Sequence, residues 1–193
     1  MRKYEIVDGR VKALRDFSDV KKGEVGGYVK GEHNLSHEGD CWVYEGAKVS
    51  EYADVYGDAK VYGYAKVSGW AKVYGYAKVY GWAKVYGCAD VSEYADVSEY
   101  ADVYGDAKVY GYADVSGSAK VSGSAKVSGS ARVSGRAKVY GCARVYGCAR
   151  VYGYADVSGD AKVYGYAKVS GDIVVSGYAV VSRNEQINRK TST

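Results

Sequence analysis

Two histidines and a cysteine near the amino end have the spacing of a metal-binding motif. His33, His37 and Cys41 are four residues apart, and imidazole and thiolate groups are common zinc ligands. In an extended chain, however, four residues separate two side chains by roughly 13 Å, which is too far for one metal ion. His37 and Cys41 also fall in the inward frame of the repeat described below. We therefore expect both to be core residues of the first coil, and we expect no metal site and no cofactor.

Groups that could carry out catalysis are scarce elsewhere in the sequence. The chain has only two histidines, and no Ser/His/Asp set or pair of acids stands out. The glycines recur at a fixed period, as turn residues do, and do not form a phosphate-binding loop. We predict no catalytic residue, and a protein that is not an enzyme.

Basic residues are concentrated in one stretch, which we call the basic collar. Residues 115–153 contain no acid and seven basic residues. Like charges this close repel modestly, and an anionic partner such as nucleic acid would relieve that repulsion. The candidate anion-binding residues are Lys126, Arg144, Arg132, Arg150 and Arg136. The alternative interpretation is a solvated surface that aids solubility, because the charge is spread around the molecule.

The elements that position these groups follow from a six-residue repeat. Val recurs at every sixth position from Val43 to Val181, and the residue four places after each Val is Ala from Ala47 to Ala179, except at Ile173. In Ala-Lys-Val-Tyr, side chains alternate across a short strand, so Ala and Val share the inward face. Gly and one further residue then turn the corner. Glu45, Glu51, Glu93 and Glu99 replace this Gly, so those corners must tolerate a side chain.

Strands this short cannot form an ordinary sandwich, but three of them can close into a triangular coil. Stacked coils hydrogen-bond to one another at about 4.8 Å. The repeat therefore predicts an all-β fold, a parallel β-helix with three hexapeptides per coil and about eight coils. Residues 35–183 form it, residues 1–34 form a small β cap with a hairpin at Asp8-Gly9, and residues 184–193 form a tail. Val174 and Val180 replace outward charges, and we expect the tail or another subunit to cover them.

Residues 18 apart should stack on adjacent coils, which makes the outward columns readable. Asp90, Asp96 and Asp102 fall in one coil with a Lys one coil below each, so charge pairing accounts for this acidic girdle. Aromatic residues form columns at the corners: Tyr64, Trp82 and Tyr100; Tyr76, Tyr94 and Tyr112; Tyr52 and Trp70. On the flat faces, Tyr44, Tyr62 and Tyr80 align, as do Tyr146 and Tyr164. Such rings can stabilise the stack or form an interface, and both interpretations stay open.

The Val-x-x-x-Ala-x unit resembles that of the hexapeptide-repeat proteins, over about three-quarters of the chain. This resemblance implies that the helix is left-handed. Residues 13–17, 26–29, 34–36 and 41–43 also look like the lead-in of uncharacterised bacterial and phage members. Many hexapeptide-repeat proteins are acyltransferases with a histidine base and an inserted loop, and others are zinc-dependent carbonic anhydrases with three histidines. The repeats here contain neither a histidine nor an insertion.

The sequence therefore favours a non-catalytic rod that acts by protein–protein contact or self-assembly through its aromatic faces and its ends. The expected partner is another protein or a second copy of the chain, giving a homo-oligomer. Polyanion or nucleic-acid binding by the basic collar is the alternative, and an acyltransferase is less favoured still. The first residues have no apolar stretch resembling a secretion signal, so we expect a cytoplasmic protein without membrane contact.

Overall fold

The computed structural model describes residues 2–188, and nearly all of them belong to one parallel β-solenoid. The cap comes first. Strands β1 (Tyr4–Val7) and β2 (Arg10–Ala13) form an antiparallel hairpin, and β2 pairs antiparallel with β3 (Val25–Val29). Asp8 and Gly9 turn the hairpin with positive φ, as predicted. A 3-10 helix, Glu32–Asn34, leads to β4 (Trp42–Val43), the first strand of the regular repeat.

The repeat strands are two residues long and fall into three parallel sheets. Sheet 1 continues from β3 through β5 (Lys48–Val49), β8 (Lys66–Val67), β11 (Lys84–Val85), β14 (Asp102–Val103), β17 (Lys120–Val121), β20 (Lys138–Val139), β23 (Asp156–Val157) and β26 (Val174–Val175). Sheet 2 contains β6 (Asp54–Val55), β9 (Lys72–Val73), β12 (Asp90–Val91), β15 (Lys108–Val109), β18 (Lys126–Val127), β21 (Arg144–Val145), β24 (Lys162–Val163) and β27 (Val180–Val181). Sheet 3 contains β4, β7 (Lys60–Val61), β10 (Lys78–Val79), β13 (Asp96–Val97), β16 (Asp114–Val115), β19 (Arg132–Val133), β22 (Arg150–Val151), β25 (Lys168–Val169) and β28 (Gln186–Ile187).

Each strand pairs with the strand 18 residues away, which confirms the predicted register. Lys48 lies beside Lys66, and Val49 beside Val67. The solenoid has about nine coils instead of eight, because the end of the cap already contributes to the first coil. There β3 pairs in parallel with β5, and Leu35 bridges to Val55.

The core is a column of Val and Ala. From Val49 to Val169 every inward Val has no exposed surface, and the inward Ala residues are buried with it. Burying one Val side chain contributes roughly 1.5–3 kcal/mol. The base of the column differs, because Trp42 is fully buried there and meets Phe17 and Tyr4 edge to face, at ring-centroid distances of 5.4 Å and 6.4 Å.

The corners need left-handed backbone. At Gly135 φ is +70°, and a Cβ there would lie 2.9 Å from the backbone nitrogen of Gly153 on the next coil. Glu51, Glu93 and Glu99 adopt φ of 58–60°, so three of the four predicted glutamate corners are confirmed. The fourth, Glu45, also lies in the turn, but without a positive φ. Gly46 takes the positive φ, at 86°, and the adjacent Glu45 is spared it.

At the upper end, the first part of the predicted tail continues the solenoid. Gln186–Ile187 pairs with Lys168–Val169 as one more strand of sheet 3. The described part of the tail does not cover Val174 and Val180, which are 64% and 53% exposed, and the rest of the predicted tail, residues 189–193, lies outside the described residues. Across residues 2–188, no helix has the length and apolarity that a membrane crossing requires.

Candidate functional site

Aromatic side chains occupy all three edges of the triangular rod. The edge between sheets 1 and 2 carries Tyr52 and Trp70, whose ring centroids are 4.4 Å apart. On the edge between sheets 3 and 1, Tyr64 and Trp82 stack at 4.5 Å. The edge between sheets 2 and 3 carries the longest stack, in which Tyr76, Tyr94 and Tyr112 are spaced at 4.9 Å.

One member of the predicted columns behaves differently. Tyr100 lies one coil above Trp82, and the Trp82 amide donates a hydrogen bond to the carbonyl of Glu99, the residue before Tyr100, at 2.6 Å. In the described structure the Tyr100 ring makes no stacking contact with Trp82. The corner column is therefore stacked at its first two members only.

Stacking does not hide the corner rings. Each of the eight is between 50% and 67% exposed. Since the planes of a stacked pair are nearly parallel, a ring covers the faces of its neighbours and leaves the ring edge in solvent. Ring edges carry the positive side of the aromatic quadrupole and, in Tyr, the hydroxyl group. These columns therefore offer edges and hydroxyls to a partner, while free ring faces occur only where a column ends.

A second set of rings lies on the flat faces and has a different role. Tyr62 and Tyr80 stack at 4.8 Å, and Tyr146 and Tyr164 at 5.0 Å, as the 18-residue spacing predicts. Two further stacked pairs were missed although the same spacing reveals them: Tyr56 with Tyr74, and Tyr86 with Tyr104. These flat-face rings are less exposed than the corner rings, and burial raises the pKa of Tyr62. Their contacts join one coil to the next.

The candidate anion-binding residues are divided among different faces. Lys126 and Arg144 lie on sheet 2, and Arg132 and Arg150 lie on sheet 3. Arg136 stands alone on the edge between sheets 3 and 1. Its guanidinium donates to the Tyr154 hydroxyl at 3.2 Å and lies 5.4 Å from the centre of that ring. The structure thus brings four of the five together as two pairs, leaves Arg136 apart, and does not combine them in one site.

Sheet 3 adds a third cation that the collar did not include. Lys168 pairs in register with Arg150, which pairs with Arg132, so the three side chains form one exposed column. We call it the basic column. Within the described chain it makes no ion pair, whereas Lys108 and Lys138 on the other faces reach Asp90 and Asp156 at 3.6 Å and 3.9 Å. Asp114 precedes Arg132 in the same register.

Open grooves flank the basic column on both sides. The larger, which we call the edge groove, has a volume of about 570 Å³ and lies between the column and the edge shared with sheet 2. Ser130, Cys148 and Tyr166 line that edge, and Asn184 and Gln186 close the upper end. A smaller groove of about 260 Å³ lies on the other side, against Ser134 and Tyr152.

The lower part of sheet 3 is mixed in charge and contacts the cap. Asp19 of the cap accepts a hydrogen bond from Lys60 at 2.6 Å and from the Tyr44 hydroxyl at 2.8 Å. The Lys60 ammonium and the Tyr44 hydroxyl hold the pKa of Asp19 down at about 2, and burial together with Asp19 raises the pKa of Tyr44 to about 12. Tyr76, Tyr94 and Tyr112 line a groove of about 420 Å³ above this contact.

In the acidic girdle, basic side chains neutralise the carboxylates only in part. Within the described chain, Asp90 is the one acid of the girdle that forms an ion pair, and its partner is Lys108 on the coil above. Burial raises the pKa of Asp96, and the neighbouring Asp114 raises it further, while Lys78 opposes both. The three carboxylates lie on three different sheets, so they do not converge on one ligand.

The two histidines and Cys41 lie at the base of the rod, where they make packing and hydrogen-bond contacts. Cys41 is fully buried, and His37 is partly buried with its ring stacked on Tyr4 at 4.2 Å. His33 instead lies within 2.7 Å of the Glu51 carbonyl. Over residues 2–188, no group of three or more His, Cys, Asp or Glu side chains could hold a metal ion. All four cysteines are free thiols, and Cys88, Cys142 and Cys148 are exposed.

Lys3, at the base of the rod, is fully buried, and nothing in the sequence predicted its burial. The Lys3 ammonium donates to the carbonyl oxygens of Gly39 and Cys41 at 3.1 Å and 2.9 Å, and lies 3.2 Å from the Cys41 sulfur. It therefore satisfies carbonyls at the lower end of the solenoid, where no further coil exists to bond them.

Comparison with known proteins adds no family to this description. No protein-family model matches the chain, and no curated protein matches it.

Proposed function

We propose that this chain is a non-catalytic rod that acts by protein contact through its corner aromatic columns, with a second copy of the chain as its first partner. The observation that carries the proposal is the exposure of the eight rings in the corner columns, although seven of them are stacked. Large exposed aromatic patches are typical of protein interfaces, where Tyr and Trp dominate the binding energy.

The geometry of one coil supports self-association in particular. Trp70, Tyr76 and Trp82 occupy the three successive corners of that coil, so a neighbouring rod can pack along any edge. Two copies share the same spacing between coils, about 4.8 Å. Ring edges of one column can therefore meet the gaps of another column over several coils without losing register.

The Val-x-x-x-Ala frame supports a narrower assignment as well. We infer that the solenoid is a left-handed helix of the hexapeptide-repeat type, resembling the bacterial and phage members. Its repeats lack the histidine and the inserted loop on which the acyltransferases of that group depend, which supports a binding role over an enzymatic one.

Light scattering across a concentration series tests the proposal. The wild-type chain should associate reversibly, and the variant Trp70→Ser/Tyr76→Ser/Trp82→Ser should remain a monomer at the same concentrations. Serine is a fair replacement because the chain itself places Ser at corners such as Ser118 and Ser124.

A matched control replaces by serine three exposed tyrosines that belong to no ring stack in the described structure, Tyr140, Tyr154 and Tyr178. This variant should associate like the wild type. A wild-type chain that stays monomeric at high concentration would reject self-association, and equal association of both triple variants would reject the aromatic columns as its cause.

A further inference from the structure

The column of rings on the edge between sheets 2 and 3 is interrupted. It carries Tyr76, Tyr94 and Tyr112 on successive coils, then Ser130 and Cys148, and then Tyr166. The edge groove overlaps the interruption at Ser130 and Cys148 and continues past Tyr166 to Asn184 and Gln186. Tyr94 covers the lower face of Tyr112 at 4.9 Å, whereas the coil above Tyr112 presents only a serine side chain.

The size of the interruption has a chemical meaning. Tyr112 and Tyr166 are three coils apart, which at the usual strand spacing is about 14 Å. Stacked nucleotides advance about 3.4 Å along one strand, so about three bases fill this interval. A flat group entering the gap would continue the existing stack on Tyr112 and use a ring face that the protein leaves free.

The positive charge on the adjacent face, sheet 3, would attract the phosphates of a nucleotide strand. The basic column runs beside the gap, and its three side chains point into the edge groove without an ion pair in the described chain. Arginine guanidinium groups bind phosphate through two parallel hydrogen bonds, which favours phosphate over other anions. Cationic grooves flanked by aromatic rings are the recurring design of single-strand binding proteins.

We propose that the edge groove binds single-stranded nucleic acid, with bases stacked in the gap between Tyr112 and Tyr166 and phosphates on Arg132, Arg150 and Lys168. A single strand is required because the bases of a duplex are already paired and stacked. The two proposals share the Tyr112 ring, but the self-association variant leaves Tyr112 and the basic column intact and the arginine variant below leaves every corner ring intact, so either proposal can fail without the other.

Fluorescence anisotropy with a labelled oligothymidylate tests the site. The wild type should bind with a slope of log affinity against log salt of about −2, as expected for three phosphate contacts. The variant Arg132→Gln/Arg150→Gln should bind about tenfold more weakly or worse, with a slope shallower by about 1.4. The variant Lys120→Gln/Lys138→Gln removes the same charge from sheet 1 and should bind like the wild type.

A second variant separates base stacking from charge. Ser130→Tyr/Cys148→Tyr fills the gap with the protein's own rings and keeps every cation. It should weaken oligothymidylate binding about tenfold, but inorganic polyphosphate should still bind, because it has no bases and reaches the same cations from the Ser134 side. Circular dichroism melts of all variants check that the fold persists.

Several results would overturn the proposal. Absence of oligothymidylate binding at low salt rejects the site, and equal loss in the arginine and lysine variants rejects its location. Competition by duplex DNA or polyphosphate as strong as that by the single strand, together with no effect of gap filling, means that the groove recognises charge alone.

Discussion

Glu51, Glu93 and Glu99 turn corners in a backbone conformation that glycine adopts elsewhere in the repeat. Left-handed backbone costs a residue with a side chain roughly 1–2 kcal/mol. Glu51 gains something in return, because its carboxylate accepts a hydrogen bond from the Gly69 amide on the next coil at 2.7 Å. No such bond to a backbone amide is present for Glu93 in the described structure. Its strain is therefore uncompensated at this position.

Replacing Glu93 with glycine should accordingly stabilise the protein. We expect a gain of about 1 kcal/mol in the free energy of unfolding, since relief of strain exceeds the added flexibility of the unfolded chain. Urea denaturation measures it. Glu93→Ala removes the same carboxylate but keeps a Cβ, so it should bring no comparable gain, and an equal gain from both substitutions would contradict the argument.

The outward residues show how far sequence reasoning reaches at this scale. The repeat predicts that Glu93 turns a corner, because its neighbours Val91 and Ala95 leave only one register. It also predicts that Glu45 lies at a corner, but it does not show that the following Gly46 takes the positive φ there, at lower cost than Glu45 would. Which of two turn residues takes the positive φ depends on their side chains, and the six-residue spacing alone does not predict it.

Among the elements, the cap is the part whose contacts depend on no repeat. Its hairpin was predictable from Asp8-Gly9, but the contact of Asp19 with Lys60 and Tyr44 was not, since these residues are distant in sequence and belong to different elements. The buried Lys3 was unpredictable for the same reason. By contrast, the alignment of Arg132 with Arg150 follows from spacing alone, while the groove beside them depends on side-chain placement.

The Asp19 contact should give the cap an acid-sensitive attachment. The folded-state pKa of Asp19, about 2, lies below its ordinary value of 3.8, so its contribution is complete above about pH 4 and is lost as the pH falls towards 2. The Asp19 side chain is 57% exposed, which limits that contribution to less than about 1 kcal/mol.

Hydrogen exchange of the cap amides provides the measurement. Asp19→Asn should increase exchange in residues 10–29 at neutral pH, and the difference from the wild type should shrink as the pH falls below 4. Asp106→Asn changes an exposed acid far from the cap and should leave that exchange unaltered. A difference that persists undiminished at pH 2 would show that the Asp19 carboxylate charge is not responsible.

At the scale of the whole molecule, each coil touches only its neighbours, and the coils from Val49 to Val169 bury the same Val and Ala residues. Stability should therefore be nearly a sum over coils. Deleting residues 116–133 removes one complete coil and joins Val115 to Ser134 with all columns in register. We expect a shorter folded rod with a slightly lower melting temperature, measured by circular dichroism.

Deleting residues 116–118 provides the contrasting case. The loss of three residues shifts every later side chain by an odd number, so inward and outward positions exchange beyond the deletion. This smaller deletion should abolish cooperative unfolding of the upper coils. If both deletions were tolerated equally, the coils would not be held by the Val and Ala frame.

Coils with nearly identical cores can mispair during folding, because any coil can dock on any other and bury nearly the same apolar surface. A chain that skips a coil would bury the same side chains and misplace only its outward columns. The base of the rod resolves this ambiguity, since Trp42, Phe17 and Tyr4 are buried aromatic residues unlike anything in the coils above. This cluster precedes the repeats in the chain and is synthesised before them, so it can fix the position of the first coil and with it the order of the outward residues on later coils.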